Sequence, residues 1–298
     1  MFSKIKATIF LFFINALYFI LPIPIFYFFI TGSFFTRLIL SLLLVYQYTI
    51  CKENQLFRKF VAWGSPINFF KSYDMIFDDP ETPNNPETKI LLCYHPHGVM
   101  AYGVTILTFN FNYFWNFVRL GSRIALNIPW GGIVLKLGGI QGVNPQNLND
   151  LMRKGQKLLM VPGGYEEATI TNYKEDRVYV KDRKGFIKYA LKYGYTVHPC
   201  YGFNENKAYY YLTFVKLGLI LNKFKIPAVM FISKFLNILP NNDVSIYFVI
   251  GKGMKFPLNE KPTKEEIEHY HNLYIHSLRE LFNKYKGKFG SSRELQIY

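Results

Sequence analysis

The feature that most restricts the fold is a long amino-terminal run without charge. No charged residue lies between Lys6 and Arg37, and phenylalanine and isoleucine dominate the segment. A helix of about 24 residues from this run would extend about 36 Å, enough to cross the hydrocarbon core of a bilayer. A secretory signal peptide is the alternative, but the apolar run is longer than such a peptide needs and offers no clear cleavage site. We therefore predict a membrane element.

A second apolar run, Leu38–Ile50, follows closely. As a helix it would extend roughly 20 Å, which is short for a crossing. Pro22 and Pro24 are expected to kink the first arm. The nearby basic residues all lie outside the two arms: Lys4, Lys6, Lys52, Arg58 and Lys59. This distribution predicts a membrane hairpin over residues 1–52, crossing or dipping into one leaflet, with both ends cytoplasmic. Residues 53–298 are predicted to form one further domain.

The chain is strongly basic, with a formal charge of +15 from 35 Lys and Arg against 20 Asp and Glu. Phospholipid headgroups, coenzyme A phosphates and nucleic acid are the anionic partners to consider, beside a generally basic surface without a partner. Nucleic acid is disfavoured, since zinc-finger spacing, RNP aromatics and an arginine-rich stretch are missing. Cys51, Cys93 and Cys200 lie far apart, which predicts neither a disulfide framework nor a zinc site.

From about residue 60 the chain alternates short apolar runs with helical patterns and turn residues, which is typical of an α/β domain. Four strands and two helices are predicted: strands 89–94, 157–161, 196–201 and 244–250, and helices 145–154 and 183–193. A longer helix over 263–286 is predicted from its apolar spacing and from a capping box between Thr263 and Glu266.

Two features of the carboxyl-terminal half have more than one interpretation. Residues 208–239 mix apolar runs with isolated lysines, which fits an interfacial helix pair or a buried core helix with lysines at its edge. His269, His271 and His276 lie on the long predicted helix and are interpreted as surface or packing residues.

Two histidines follow a predicted strand in the stretch "YHPHG", residues 94–98. Pro96 has no N–H to donate to a sheet, so the strand is expected to end near His95. Ligands of open α/β sheets bind beyond the carboxyl ends of strands, where His95 and His97 would then lie. Gly98 lets the backbone turn and lets another molecule approach. We predict a catalytic site here, because a histidine can take a proton from an alcohol that attacks a carbonyl.

A second strand-to-glycine turn supplies carboxylates. In "KLLMVPGGYEEAT", residues 157–169, Gly163 and Gly164 precede Glu166 and Glu167. One carboxylate is expected to orient an imidazole, and the backbone N–H groups around the glycines are expected to stabilise a developing oxyanion. Without the histidines, this stretch would be interpreted as a turn with two solvated glutamates.

Other catalytic chemistries have weaker support in the sequence. It contains no G-x-S-x-G elbow, no P-loop and no H-E-x-x-H motif. Cys93 is expected to be buried in mid-strand, as a packing residue rather than a thiolate. The H-x-H pair can bind a metal, but no clear third and fourth ligands accompany it, so no metal is predicted.

Four ordered blocks carry a family resemblance from roughly residue 60 to the carboxyl terminus. They are "YHPHG", the glycine pair with Glu167, "RKGFIKYALKYGYTVHP" with Phe203, Glu205 and Asn206 after it, and a terminal helix with "KFG" after it. In these blocks the chain resembles the type-two diacylglycerol acyltransferase family, which includes monoacylglycerol and wax-ester acyltransferases.

The resemblance implies a glycerolipid-acyltransferase-like αβ sandwich that moves a fatty acyl group from acyl-CoA to a lipid hydroxyl. The broader group uses H-x-x-x-x-D, whereas Met100 and Tyr102 stand five residues after His95 and His97. Glu167 is the implied substitute for that aspartate. By analogy His97 is the base and His95 shapes the site.

The expected substrates are acyl-CoA and diacylglycerol, with no separate cofactor. Arg183, Lys184 and Lys188 are candidates for binding coenzyme A phosphates, although a solvated helix face explains them equally well. Asn204 replaces an expected glycine and residues 207–245 match the family poorly. Monoacylglycerol and long-chain alcohols therefore stay alternative acceptors.

The resemblance and the hairpin together imply an endoplasmic-reticulum membrane location with the catalytic domain facing the cytosol, and lipid droplets as a further location. The bilayer is then a partner, and a homo-oligomer is left open. A metal-dependent lipid hydrolase and a non-enzymatic lipid-droplet protein are the alternatives from other functional classes.

Overall fold

The computed structural model describes residues 2–84, 89–212, 214–224, 229–233 and 238–298. The helices in these ranges are α1 (Phe2–Asn15), α2 (Pro22–Thr31), α3 (Phe34–Val45), α4 (Gln55–Gly64), α5 (Tyr102–Asn110), α6 (Arg123–Leu126), α7 (Gly132–Leu137), α8 (Pro145–Arg153), α9 (Gly164–Ile170), α10 (Gly185–Tyr193), α11 (Val215–Lys223) and α12 (Lys264–Lys286).

The strands are β1 (Ser72–Phe77), β2 (Ile90–His95), β3 (Val118–Gly121), β4 (Ile140–Gly142), β5 (Leu158–Met160), β6 (Asp176–Val178), β7 (Thr196–Phe203), β8 (Tyr210–Leu212), β9 (Met230–Ile232), β10 (Ser245–Ile250), β11 (Met254–Lys255) and β12 (Leu295–Ile297). The four strands and three helices predicted from the sequence are all present, with bounds that differ by at most two residues.

The main sheet has the order β1-β10-β7-β2-β5-β3-β4, with β11 paired to β7. Strands β7, β2, β5, β3 and β4 are parallel neighbours, while β10 runs antiparallel to β7 and parallel to β1. Strand β2 therefore lies inside the sheet, between β7 and β5. Its six residues are all buried, which explains why the sequence of this strand is a nearly continuous apolar run.

Helices cover both faces of the sheet. On β2, Leu91 and Cys93 point into one core with α8, α10 and α12, while Leu92 and Tyr94 point into the other core with α1 and α5. Because side chains alternate along a strand, His95 lies on the face of Cys93 and α12. The predicted α/β sandwich is confirmed.

The amino-terminal helices α2 and α3 form a helical hairpin, and its insertion into a membrane stays a prediction. Within the described ranges, the helix Phe2–Thr31 is long and apolar enough to cross a membrane by length and composition, and Phe34–Ile50 with Gln55–Phe69 is a second candidate that is bent by 98°. Pro22 is the first residue of α2. It follows a π-helical segment, Ala16–Ile20, and its C-cap Leu21, whose N–H donates to the carbonyl of Ala16. The chain then turns at Gly32, and α3 packs against α2.

The first half of this long helix also contacts the rest of the protein. Ala7 and Leu11 are buried in the core that contains α5, and the Asn15 amide donates to the Tyr102 hydroxyl at 2.9 Å. The α2–α3 part of the hairpin exposes its apolar side chains instead. The domain boundary at residue 52 stays a prediction.

The interpretation of residues 208–239 as a buried core helix is wrong, because Leu217 and Ile220 of α11 are exposed, whereas the interfacial position of this segment stays a prediction. In the described part of this segment, one helix, α11, lies between β8 and β9, which pair antiparallel. Lys225 and Lys234, used in that interpretation, lie outside the described residues. Residues 210–212 and 230–232 are apolar throughout and only three residues long, so they carry no apolar–polar alternation that would distinguish a strand from a helix.

The long carboxyl-terminal helix begins as predicted. The Thr263 hydroxyl accepts the Glu266 N–H at 3.2 Å, and the Glu266 carboxylate accepts the Thr263 N–H at 2.7 Å, which completes the capping box. His269 and His276 are exposed, and His271 is buried with Nε2 2.9 Å from the Val180 carbonyl. These histidines are surface and packing residues, as expected.

Candidate active site

The histidine stretch lies where the sequence placed it, at the carboxyl end of β2. His95 is the last residue of the strand, the His95–Pro96 peptide bond is cis, and His97 follows in the loop before α5. Gly98 has a φ of +60°, a conformation that favours glycine. The loop therefore turns sharply and leaves the two histidine rings in different surroundings.

His95 is fully buried and has a partner on each ring nitrogen. Nδ1 lies 2.9 Å from Oε2 of Glu167, and Nε2 lies 2.9 Å from the hydroxyl of Tyr274 on α12. The carboxylate is an acceptor, so Nδ1 carries a hydrogen and donates it. Both nitrogens of His95 are therefore engaged within the protein.

Glu167 connects the two histidines. It lies in the first turns of α9 and is fully buried. Besides the His95 ring, it accepts the backbone N–H of His97 at 2.7 Å and that of Tyr179 at 2.8 Å. Three donors thus converge on one carboxylate, which compensates for its removal from water.

Gly163 makes room for this carboxylate. A Cβ atom at Gly163 would lie 2.2 Å from Oε2 of Glu167, far inside van der Waals contact. The second glycine, Gly164, has a φ of +57°, and its N–H donates to the Val161 carbonyl at 3.2 Å. The glycine pair therefore shapes the turn and the Glu167 pocket, and the Gly164 N–H is engaged within that turn.

The ring of His97 is only partly buried and is held differently. Its Nδ1 lies 2.9 Å from the carbonyl of Gly98, and a carbonyl only accepts, so Nδ1 donates. In the neutral ring Nε2 then carries the lone pair. Burial lowers the pKa of His97 below its ordinary value, against opposing effects of the Gly98 carbonyl and the Glu167 carboxylate. The neutral form therefore persists at neutral pH.

A second buried carboxylate supports the loop from the opposite face of the sheet. Glu205 accepts the Tyr94 hydroxyl and the backbone N–H of Gly103, the latter at 3.0 Å, and its Cγ would lie 3.0 Å from a Cβ at Gly98. Burial raises the pKa of Glu205 to about 7, and the Tyr94 and Gly103 hydrogen bonds oppose the shift. This network fixes both ends of the segment that contains His97.

Sequence reasoning assigned no site role to Tyr94, Glu205 or Tyr274. Tyr94 and Glu205 lie in sequence motifs that carry the family resemblance, so a search for the buried partners of each motif would have identified them. Tyr274 lies at an apolar position of α12, and its hydroxyl gives no signal in a hydrophobic periodicity. Only the packing of α12 on β2 brings it to His95.

Two of the three basic residues predicted to bind coenzyme A phosphates form ion pairs. Arg183 pairs with Glu166, the neighbour of Glu167, and its side chain is 37% exposed. Lys184 pairs with Glu268 on α12, and Lys188 is exposed on α10. Of the three residues, Arg183 is therefore the one whose ion pair connects it to α9, the helix that carries Glu167.

The structure also bears on a cysteine nucleophile and on a metal site. Cys93 is fully buried, and burial raises the pKa of its thiol, so it lacks the exposure of a reactive cysteine. Among the described residues, no three His, Cys, Asp or Glu side chains converge as metal ligands. The absence of a metal requirement stays a prediction.

The fold and the site define an α/β enzyme with paired histidines at the carboxyl end of an inner parallel strand. The sequence matches the family described as diacylglycerol acyltransferase over residues 26–298. The chain belongs to this family and is an acyltransferase.

Curated relatives agree with the family match. The chain is 28% identical to diacylglycerol O-acyltransferase 2-like protein 6 of Mus musculus, over 78% of this chain and 74% of that protein. It is 27% identical to diacylglycerol O-acyltransferase 2 of Bos taurus, over 80% of this chain and 71% of that protein. The human diacylglycerol O-acyltransferase 2 is 27% identical over 80% of this chain and 66% of its own length.

Among solved structures, the chain is similar to the 1-acyl-sn-glycerophosphate acyltransferase PlsC from Thermotoga maritima. The TM-score is 0.48 at 13% sequence identity, over 94% of this chain and 96% of that chain.

Proposed function

We propose that this acyltransferase moves a fatty acyl group from acyl-CoA to the free hydroxyl of diacylglycerol, making triacylglycerol, with His97 as the general base. The family match and the names of the curated relatives support the acceptor and the product. The endoplasmic-reticulum membrane, with the catalytic domain in the cytosol, is the proposed location, and lipid droplets are a further one.

The contact between His97 Nδ1 and the Gly98 carbonyl carries the assignment of the base. It fixes the neutral ring with its lone pair on Nε2, the atom that must accept a proton. The lowered pKa keeps that lone pair free at neutral pH. His95 is a positioning residue in this proposal, because Glu167 and Tyr274 occupy both of its nitrogens.

The reaction balances without a covalent enzyme intermediate. The acceptor hydroxyl gives its proton to Nε2 of His97 as its oxygen forms a bond to the thioester carbonyl carbon. The carbon–sulfur bond then breaks, and the thiolate of coenzyme A takes the proton from the imidazolium. A protein nucleophile is unnecessary, which agrees with the buried, high-pKa thiol of Cys93.

Arg183, Lys184 and Lys188 are the proposed contacts for the coenzyme A phosphates. Arg183 is best placed, because its partner Glu166 is adjacent in sequence to Glu167. An incoming phosphate would exchange with the Glu166 carboxylate for the same guanidinium. Gly98 and Gly163 make room for the side chains of Glu205 and Glu167, which hold the histidine stretch in place.

The direct test is acyl transfer by membranes from a host without neutral-lipid acyltransferases of its own. Labelled acyl-CoA is supplied with diacylglycerol, monoacylglycerol or a long-chain alcohol, for the wild type, His97→Ala and the matched control His276→Ala. His276 is exposed on α12 and pairs only with Glu280 among the described residues. Product from the wild type and the control, and loss in His97→Ala, is the expected result.

Each other result has a definite meaning. Transfer to monoacylglycerol or an alcohol in preference to diacylglycerol would change the acceptor and keep the mechanism. Equal product from His97→Ala would remove His97 as the base. Absence of product from correctly inserted wild type, together with chelator-sensitive lipid hydrolysis, would favour the metal-dependent hydrolase; absence of both would favour the non-enzymatic protein.

A further inference from the structure

We propose that β8, α11 and β9 form a membrane-contacting lobe that seats the acceptor side of the active site on the bilayer. The lobe comprises the described residues 210–212, 214–224 and 229–232, and it is separate in sequence from the amino-terminal hairpin. Its partner is a lipid surface with anionic headgroups.

The two-stranded part of the lobe is apolar on both faces. Tyr211 and Phe231 point inward to the core around α5. The outward face carries four more apolar side chains, between 41% and 57% exposed: Tyr210, Leu212, Met230 and Ile232. A solvated hairpin normally alternates apolar and polar residues, so this outward face is built for a nonaqueous neighbour.

Helix α11 continues the same surface. Phe214, Leu217, Ile220 and Phe224 repeat at helical spacing and are between 52% and 73% exposed. Lys216 and Lys223 are exposed beside this stripe. An apolar stripe flanked by lysines matches the interface between acyl chains and anionic headgroups, where the ammonium groups reach the phosphates.

The opposite side of α11 is attached to the helix of Glu167. The Asn222 amide donates to the Thr169 hydroxyl at 2.9 Å, and the Tyr165 hydroxyl donates to the Asn222 carbonyl at 3.3 Å. Tyr165 and Thr169 lie on α9, on either side of Glu167. Packed helices are separated by about 8–10 Å, so a bilayer against α11 would lie one helix away from α9.

Residues on either side of the lobe in the chain are connected to the long amino-terminal helix. The Asn15 amide donates to the Ile238 carbonyl at 2.6 Å and to Tyr102, whose hydroxyl lies 2.9 Å from that of Tyr209. Tyr209 and Ile238, which flank the lobe in the chain, are therefore held close to Asn15 of the long amino-terminal helix. Lys216 and Lys223 beside the apolar stripe favour a bilayer with anionic headgroups, rather than a separate protein, as the occupant.

The consequence for catalysis is a route for the acceptor. A diacylglycerol molecule can keep its acyl chains in the bilayer while its hydroxyl approaches the end of β2, without leaving the membrane. This part of the inference rests on the proposed function; the membrane contact itself does not.

Depth-dependent fluorescence quenching tests the contact directly. The full chain is reconstituted into phosphatidylcholine and phosphatidylserine vesicles and carries a bimane on Leu217→Cys. The matched control carries it on Leu273→Cys of α12, since Leu273 is 43% and Leu217 56% exposed. The three native cysteines are buried, and the unsubstituted chain measures their background labelling.

Doxyl-labelled phosphatidylcholine is expected to quench the probe at position 217 several-fold more than the probe at position 273. Equal, weak quenching at both positions would overturn the proposal. A disulfide-linked dimer of Leu217→Cys without quenching would also overturn it, because a second copy of the chain would then cover this face.

An activity measurement separates membrane contact from structural damage. For the Leu217→Asp, Ile220→Asp double variant we expect about tenfold slower transfer to diacylglycerol presented in vesicles, because aspartate enters apolar lipid unfavourably. Transfer in detergent micelles should be unchanged, and Leu273→Asp should match the wild type in both. Equal loss in vesicles and micelles would contradict a role through the bilayer.

The two proposals fail in distinguishable ways. Quenching at position 217 in a chain without transferase activity would reject the proposed function and leave the membrane contact standing. Normal transferase activity without quenching at position 217 would reject the membrane contact and leave the proposed function standing.

Discussion

The Nδ1 atom of His95 lies 2.9 Å from Oε2 of Glu167, and neither side chain is exposed to solvent. The same carboxylate accepts the backbone N–H of His97, so it fixes the ring of one histidine and the main chain of the other. A single buried group therefore determines the geometry of the whole histidine stretch.

Replacing Glu167 with alanine should damage both stability and activity. The buried His95 ring and two backbone N–H groups would lose their acceptor, which costs about 3–5 kcal/mol when one partner of a buried pair is removed. Displacement of the loop by about 1 Å should slow transfer roughly hundredfold. Thermal unfolding in detergent and steady-state transfer rates measure the two effects.

The neighbouring glutamate provides the matched control for stability. Glu166 pairs with one partly exposed side chain, Arg183, instead of three buried donors, so Glu166→Gln should cost clearly less stability than Glu167→Ala. Similar destabilisation by the two substitutions would show that the buried contacts of Glu167 contribute no more than the Glu166–Arg183 pair.

Gly163→Ala should inactivate the enzyme by displacing the carboxylate of Glu167. The added Cβ would lie 2.2 Å from Oε2 of Glu167, so the side chain of Glu167 must move. We expect about 1–3 kcal/mol of lost stability from overpacking and a large loss of transfer rate. Gly287→Ala is the control, because a Cβ there meets no atom within 4 Å. A fully active Gly163→Ala variant would mean that the Glu167 position is unimportant.

The rate should depend on pH through the neutral form of His97. Burial lowers its pKa from the ordinary value of about 6.5, so the base form dominates at pH 7 and the acid limb falls below pH 6.5. A profile of kcat/KM between about pH 5 and 8 locates this limb. The His276→Ala variant should give the same profile, whereas a limb with its midpoint above pH 6.5 would disagree with a buried base.

Stability should depend on pH through Glu205. Its folded pKa of about 7 exceeds the ordinary value of 4.5, so the folded state favours the protonated carboxyl. The stability contributed by that proton is complete below about pH 4.5 and is lost as pH rises through 7. Relative to Glu205→Gln, the wild type should lose roughly 3 kcal/mol across this window.

Melting temperatures of the wild type and Glu205→Gln at about pH 5 and pH 8 test the Glu205 prediction. The informative quantity is the difference between their pH dependences, which is unaffected by any constant offset between the two proteins. An equal change of melting temperature with pH in the two proteins would mean that Glu205 titrates near its ordinary pKa. The hydrogen bonds from Tyr94 and Gly103 would then offset the effect of burial on that pKa fully.

Local patterns were sufficient to predict the elements that carry the site. The apolar run of β2 with Pro96 after it predicted where the strand ends, and the glycine pair predicted the turn before α9. The capping box predicted the start of α12 within one residue. These signals succeed because hydrogen-bond donors, φ preferences and periodic burial act over a few neighbouring residues.

The lobe around α11 shows where such patterns fail. Tyr210, Leu212, Met230 and Ile232 are apolar and exposed, so the usual inference from apolar residues to a buried helix leads to the wrong element. The two strands are apolar throughout and only three residues long, and a helical pattern lies between them, so the sequence carries no alternation that identifies them. Short paired strands depend on tertiary contacts more than on local preference.

By itself, the sequence determined a membrane-compatible amino terminus, an α/β body and a histidine pair at the end of an inner strand. It also supplied a carboxylate after a glycine turn, without deciding which histidine that carboxylate holds. The tertiary structure decided this, because Glu167 and Tyr274 are 72 and 179 residues from His95 in the chain. Contacts at such separations arise from sheet order and helix packing, which place β5, α9 and α12 around β2, and no local pattern encodes them.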